Sequence, residues 1–147
     1  MFTLNLIRMP LELTQTNPVY QDIANKFFEH FFYIADAMMH GGGGELNLWD
    51  EQDNFYYDVL HAPDDSRTRL RIRFMVGLIP LFAVEVIDDE LLAAVPQFAA
   101  RMAWLLAHRP HLATLIGQLQ EPGQPIRHRL GLLHRTRLRP VLTRMDA

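Results

Sequence analysis

The chain has 147 residues, 49% of them apolar, a formal net charge of −3 and no cysteine. That length fits one domain with a sizeable core. A charge so close to zero excludes a globally basic chain steered to nucleic acid or anionic lipid. Without cysteine there is no disulfide, thiolate nucleophile or Cys-based metal site, a pattern that suits a reducing, cytoplasmic setting.

The first residues lack the basic region of a signal peptide, and Arg8, Pro10 and Glu12 interrupt their apolar run. Leu4, Ile7 and Leu11 give residues 2 to 15 a helical stripe with Pro10 inside it. An internal proline costs about 3 kcal/mol, so this helix is expected to be kinked or to start near Met9. Asn17-Pro18 is a helix start, with a capping side chain followed by a residue suited to the first turn. Val19, Ile23, Ala24, Phe27, Phe28, Phe31, Phe32, Ala35 and Met38 then recur at helical spacing. Gly41 is the expected left-handed cap, and Gly41 to Gly44 reads as a flexible connection.

The densest chemistry follows, from Leu46 to Leu60. Asp50, Glu51, Asp53 and Asp58 stand among Trp49, Phe55, Tyr56 and Tyr57. Leu46 to Trp49 and Phe55 to Leu60 flank Asp-Glu-Gln-Asp-Asn, which predicts a short hairpin with Asn54 at positive φ. Leu70 to Arg73 alternates and predicts a third short strand. From Met75 to Val86 the pattern predicts a buried helix with Pro80 in its first turn. It is too short for the roughly 20 apolar residues of a membrane span and contains Gly77 and Glu85. Asp88-Asp89-Glu90 starts a short helix, Pro96 starts another that ends at His108-Arg109-Pro110, and residues 110 to 117 continue weakly helical. Gln118 to Gln124 reads as a loop, and Leu130 to Met145 as a basic amphipathic helix around Pro140. Helical pattern runs to both ends of the chain, as in a piece of something larger.

Two readings of the acidic-aromatic loop stand side by side. One is a structural hairpin tip. The other is a carbohydrate subsite, because sugars present apolar C–H faces to aromatic rings and hydroxyl edges to carboxylates. A calcium loop starting at Asp50 fails, since Phe55 falls where glycine is needed and His61 where the closing Glu belongs. His108 and His111 straddle Pro110 and make a poor metal pair. The glycine run lacks the Lys-Ser/Thr of a phosphate loop, and no Gly-x-Ser-x-Gly is present. No cofactor and no metal are expected. The arginines of the last helix lack interleaved aromatics, which argues against nucleic acid.

Four ordered blocks carry a family resemblance. They are Lys26-Phe27-Phe28-Glu29-His30-Phe31 with Tyr33 to Met38, Leu48-Trp49-Asp50-Glu51, Phe55 to Leu60, and Met75 to Glu85. Together they resemble large bacterial proteins near glycoside hydrolase family 63, the processing α-glucosidase and mannosylglycerate hydrolase-like proteins. The resemblance covers most of residues 2 to 110. It implies an (α/α)6 toroid of paired helices and inverting hydrolysis by two carboxylates roughly 6.5–9.5 Å apart. By that pattern the general acid lies upstream of Met1 and the general base far downstream. The resemblance therefore transfers no catalytic residue. It implies substrate contact by Trp49, Asp50, Glu51, Tyr57 and Asp58. Asn54 stands where the family usually has glycine.

The expectation is thus an all-α chain, a partial (α/α)6 toroid of helical hairpins with one β-hairpin-like insertion. Residues 1–147 form a single unit, a fragment of a larger catalytic domain. It contacts a carbohydrate, binds neither nucleic acid nor membrane, is inactive alone and self-associates through apolar helix faces. The alternative is a small helical binding module whose basic C-terminal helix meets an acidic partner. A third reading, an enzyme using Asp50 and Asp58, requires those side chains to face each other in a closed pocket.

Overall fold

The computed structural model describes residues 2–40, 47–119, 126–133 and 135–145. Helix α1 (Phe2–Thr14) runs unbroken through Pro10, which is buried. Asn17 then turns the chain. Its side-chain Oδ1 accepts the Val19 N–H at 3.1 Å, and its carbonyl accepts the Tyr20 N–H. Helix α2 (Tyr20–His40) follows and packs along α1. The expected glycine cap and connection at Gly41 to Gly44 lie outside the described residues.

Four short strands come next: β1 (Trp49–Asp50), β2 (Phe55–Tyr56), β3 (Asp58–His61) and β4 (Arg67–Leu70). β1 pairs antiparallel with β2, and β3 with β4. The strand expected at Leu70 to Arg73 lies earlier, at β4. In the β3–β4 turn, Asp64 Oδ1 accepts the Ser66 N–H and hydroxyl, and Asp65 takes a left-handed φ of 61°.

The expected buried helix from Met75 is not formed. A 3-10 turn at Met75–Leu78 leads into one short helix, α3 (Ile79–Phe82), and then into strand β5 (Val84–Asp88). Met75, Val76, Ile79, Phe82 and Val84 are exposed. Helices α4 (Asp89–Ala94) and α5 (Pro96–His108) begin where the acidic triplet and Pro96 place them. Another 3-10 turn, Pro110–Leu115, precedes strand β6 (Ile116–Leu119). Strand β7 (Arg127–Gly131) then pairs with both β5 and β6, in the order β5-β7-β6. The expected last helix begins later than Leu130, as α6 (Arg135–Met145), which passes through Pro140.

The chain is therefore not an all-α partial toroid. It is a mixed α and β fold in which, among the described residues, seven strands form three antiparallel sheets. The difference is physical. Arg127-His128-Arg129-Leu130 carries one apolar residue among three cationic or polar ones, a pattern that either period accommodates. Its choice of strand is made by pairing with Val84 to Asp88, far away in sequence.

Two cores result. The larger joins Leu4, Ile7 and Leu11 of α1 to Phe28, Phe31 and Phe32 of α2, to Phe98 and Leu105 of α5, and to Ile87 and Leu130 of the three-stranded sheet. Phe28 meets Phe32 and Phe98 edge-on, with ring centroids 4.8 and 5.0 Å away, the geometry in which ring edge faces ring cloud. The smaller core joins Trp49, Tyr56, Leu133 and Val141, with Leu138 packed against it.

Candidate functional site

The acidic-aromatic loop is the tip of the β1–β2 hairpin, with Trp49 opposite Tyr56 and Asp50 opposite Phe55. Asn54 takes the left-handed conformation its sequence predicts, φ 53°. Asp50 closes the turn from inside. Its Oδ1 accepts the N–H groups of Gln52 at 2.9 Å and Asp53 at 3.0 Å. Its Oδ2 takes Arg69 Nη1 at 2.9 Å and Arg71 Nη2 at 3.0 Å. Only 1% of Asp50 is exposed. The Asp53 N–H does most to hold its carboxyl below the usual range. The Gln52 N–H, Arg69 and Arg71 add to this, against burial, which pushes upward.

Arginines from the strands and from α6 close around the rest of the tip. Arg69 also donates to the carbonyls of Asn47 and Trp49. Tyr57 donates its hydroxyl to Asp53 Oδ2 at 2.7 Å, and burial together with this bond raises the Tyr57 phenol above its ordinary value. From α6, Arg144 Nε donates to the Asp53 carbonyl at 3.0 Å. Arg137 lies over the Trp49 ring at 4.7 Å, with Nη2 3.6 Å from Glu51 and Nη1 3.5 Å from the Tyr56 hydroxyl. The basic helix thus meets its acidic counterpart within the same chain. Behind β2, a Cβ on Gly77 would overlap the Phe55 ring and sit 2.5 Å from the Tyr56 carbonyl oxygen, so only glycine fits.

The structure brings Trp49, Asp50 and Glu51 together at this tip, but it leaves few of them open. Trp49 and Tyr57 are each 4% exposed. The indole N–H of Trp49 is buried and has no hydrogen-bond partner among the described residues. Glu51 is exposed. Asp58 is exposed at the start of β3 and lines a cavity of about 140 Å³ with Tyr57, Ile72, Phe74 and Pro80. Asp50 is buried between the turn N–H groups and the arginine row, whereas Asp58 is exposed at the start of β3, so the two do not share a closed pocket. Among the described residues no three His, Asp or Glu side chains converge as a metal site. His108 stacks on Trp104, and His111 pairs with Asp36 at 3.3 Å.

Arg69 and Arg71 are the functional partners that sequence reasoning missed. A signal was there: Arg67, Arg69, Arg71 and Arg73 alternate with period two, which aligns arginines along one side of an extended segment.

The chain is 35% identical, over an alignment of 156 positions, to an uncharacterized protein of Saccharomyces cerevisiae. The match takes in 98% of this chain and 14% of the yeast protein, so the chain spans a small part of that relative's length. No family model matches the chain, and no solved structure does. Among the described residues, no helix is long and apolar enough to cross a membrane.

Proposed function

We propose that this chain acts as a non-catalytic segment of a larger protein similar to glycoside hydrolase family 63, contributing side chains beside a carbohydrate site. The observation that carries the non-catalytic part is the saturation of Asp50. Two N–H groups and two guanidinium groups occupy its oxygens. A carboxylate so held stays ionised and shielded, so it serves neither as general acid nor as a base with room for water. The glycosidase-like class is supported by the ordered sequence blocks. The relation to a far longer protein supports a segment of a larger whole.

In this reading the residues exposed enough to meet a sugar are Glu51 and Asp58. Asp58 sits beside the apolar cavity walls that a sugar's C–H face would cover. Asp50 and Tyr57 shape the loop from behind. Trp49 is buried, its indole N–H included, and supports the loop from within.

The purified chain is expected to show no turnover of an aryl α-glucoside or of mannosylglycerate. Amide shifts in an NMR titration with the same sugars are expected at Glu51 and Asp58 and to vanish in Asp58→Ala. Turnover that Asp50→Ala abolishes would overturn the non-catalytic reading, and shifts absent from both residues would overturn the sugar contact. The alternative, a binding module whose basic C-terminal helix meets an acidic partner, has less support, since Arg137 and Arg144 of that helix already lie against Glu51 and Asp53.

A further inference from the structure

A second cluster lies away from the loop, in the groove between α2 and α5. Its floor is apolar, formed by Phe32 and Leu105. Its walls are two large aromatic side chains left largely in water, Tyr33 (55% exposed) and Trp104 (49% exposed). One end is closed by Arg101, which is pinned to Glu29 by a 2.6 Å hydrogen bond and lies over the Trp104 ring at 4.6 Å. At the other end Arg109 lies 5.7 Å from the Tyr33 ring centre. Arg109 has no carboxylate partner among the described residues.

Three features define what this groove fits. Its volume is about 120 Å³, room for one apolar side chain. Trp104 already carries His108 stacked at 4.2 Å and the Arg101 guanidinium, which leaves little ring face for a sugar. Exposed Trp, Tyr and Arg around an apolar pocket are the side chains that dominate protein–protein contacts.

We propose that the α2–α5 groove docks an acidic segment of a protein partner. One apolar side chain of that segment fills the cavity between Tyr33 and Trp104, and a neighbouring carboxylate pairs with Arg109. The charge balance favours this partner. Glu29 is engaged by Arg101, and the guanidinium left over is positive, planar and suited to bidentate contact with a carboxylate. The inference is independent of the carbohydrate reading, since it uses none of the loop residues.

The test uses the purified chain and a phage-displayed library of random peptides. Selected peptides are expected to be rich in Asp and Glu next to a large apolar residue. They are expected to protect the Trp104 emission from acrylamide, since Trp49 is buried and contributes little quenchable signal. Arg109→Glu should weaken binding by about tenfold or more and favour basic peptides instead. Arg109 is half-buried at the groove, and its backbone N–H, bonded to the Leu105 carbonyl, is kept in the variant. An unchanged thermal melt of Arg109→Glu therefore separates lost docking from lost folding, and Arg109→Lys should bind between the two. Selection without acidic enrichment, or equal binding by Arg109→Glu, would overturn the proposal. So would binding to phosphatidylserine vesicles in place of peptides.

Discussion

The helical half and the loop half of this chain are held by different forces. In the helical half, α1, α2, α5 and the three-stranded sheet close over aliphatic and phenyl side chains. In the loop half a small aromatic core is ringed by arginines that bridge strands and α6 to three carboxylates. Apolar packing scales with buried area and is nearly indifferent to salt, whereas exposed ion pairs weaken as salt screens them. The two halves should therefore fail under different conditions.

The largest expected effect tests the apolar half. Phe28→Ala removes a ring that touches two others, and a loss of about 4 kcal/mol in urea unfolding is expected. If the loss is instead below that of the loop substitutions, the assignment of the main core to α1, α2 and α5 is wrong. In the loop half, Asp50→Ala leaves two guanidinium groups and two turn N–H groups without their acceptor, and about 3 kcal/mol is expected by the same measurement. Gly77→Ala forces the Phe55 ring and β2 backbone apart and should cost about 2 kcal/mol.

Acid sharpens the contrast further. The carboxyl of Asp50 is depressed in the folded chain, so its contribution is complete above the unfolded value near 3.9 and is lost as pH falls through the lower folded value. Asp50→Asn should flatten the fall in melting temperature below about pH 4, while Phe28→Ala should lower the whole profile and keep its shape. The smallest effect is at the rim. Arg137→Ala with Arg144→Ala should cost about 1 kcal/mol at low salt. That difference from the parent should shrink in 1 M sodium chloride, a salt concentration at which the screening length falls to about 3 Å. A cost that persists unchanged in high salt would show that the arginines hold α6 through the Arg137–Trp49 stack and their apolar stems, not through ion pairs.

The same contrast explains how much could be read in advance. The long α2, its start at Asn17, the starts of α4 and α5, and the Asn54 turn are local matters. Spacing, caps and positive-φ residues specify them within a few positions. The three-stranded sheet was hidden because its strands are short and pair with distant segments. Residues 130 and 131 read as the start of a helix until Val84 and Glu85 are placed beside them. At the site, the four carboxylates and the aromatics were visible. What was invisible was that arginines 19 and 21 positions from Asp50 would consume it. Composition names the charges in a loop; it does not say which are already spent.

The order of the sheet has a consequence for how the protein is made. β7 lies in the middle, flanked by β5 and β6, yet it is the last of the three to be synthesised. As the chain leaves the ribosome, α1 and α2 can pair early, because the two are adjacent in sequence and pack on one another. β5 and β6 must wait with unpaired edges until Gly131 has emerged, at a pace of about 5–20 residues per second. Through that interval Val84, Val86 and Ile87 are the stretch most open to pairing with a neighbouring nascent chain. Arg8, which donates to the Val86 carbonyl at 3.0 Å, covers the opposite edge of β5, the side turned away from β7 in the finished sheet.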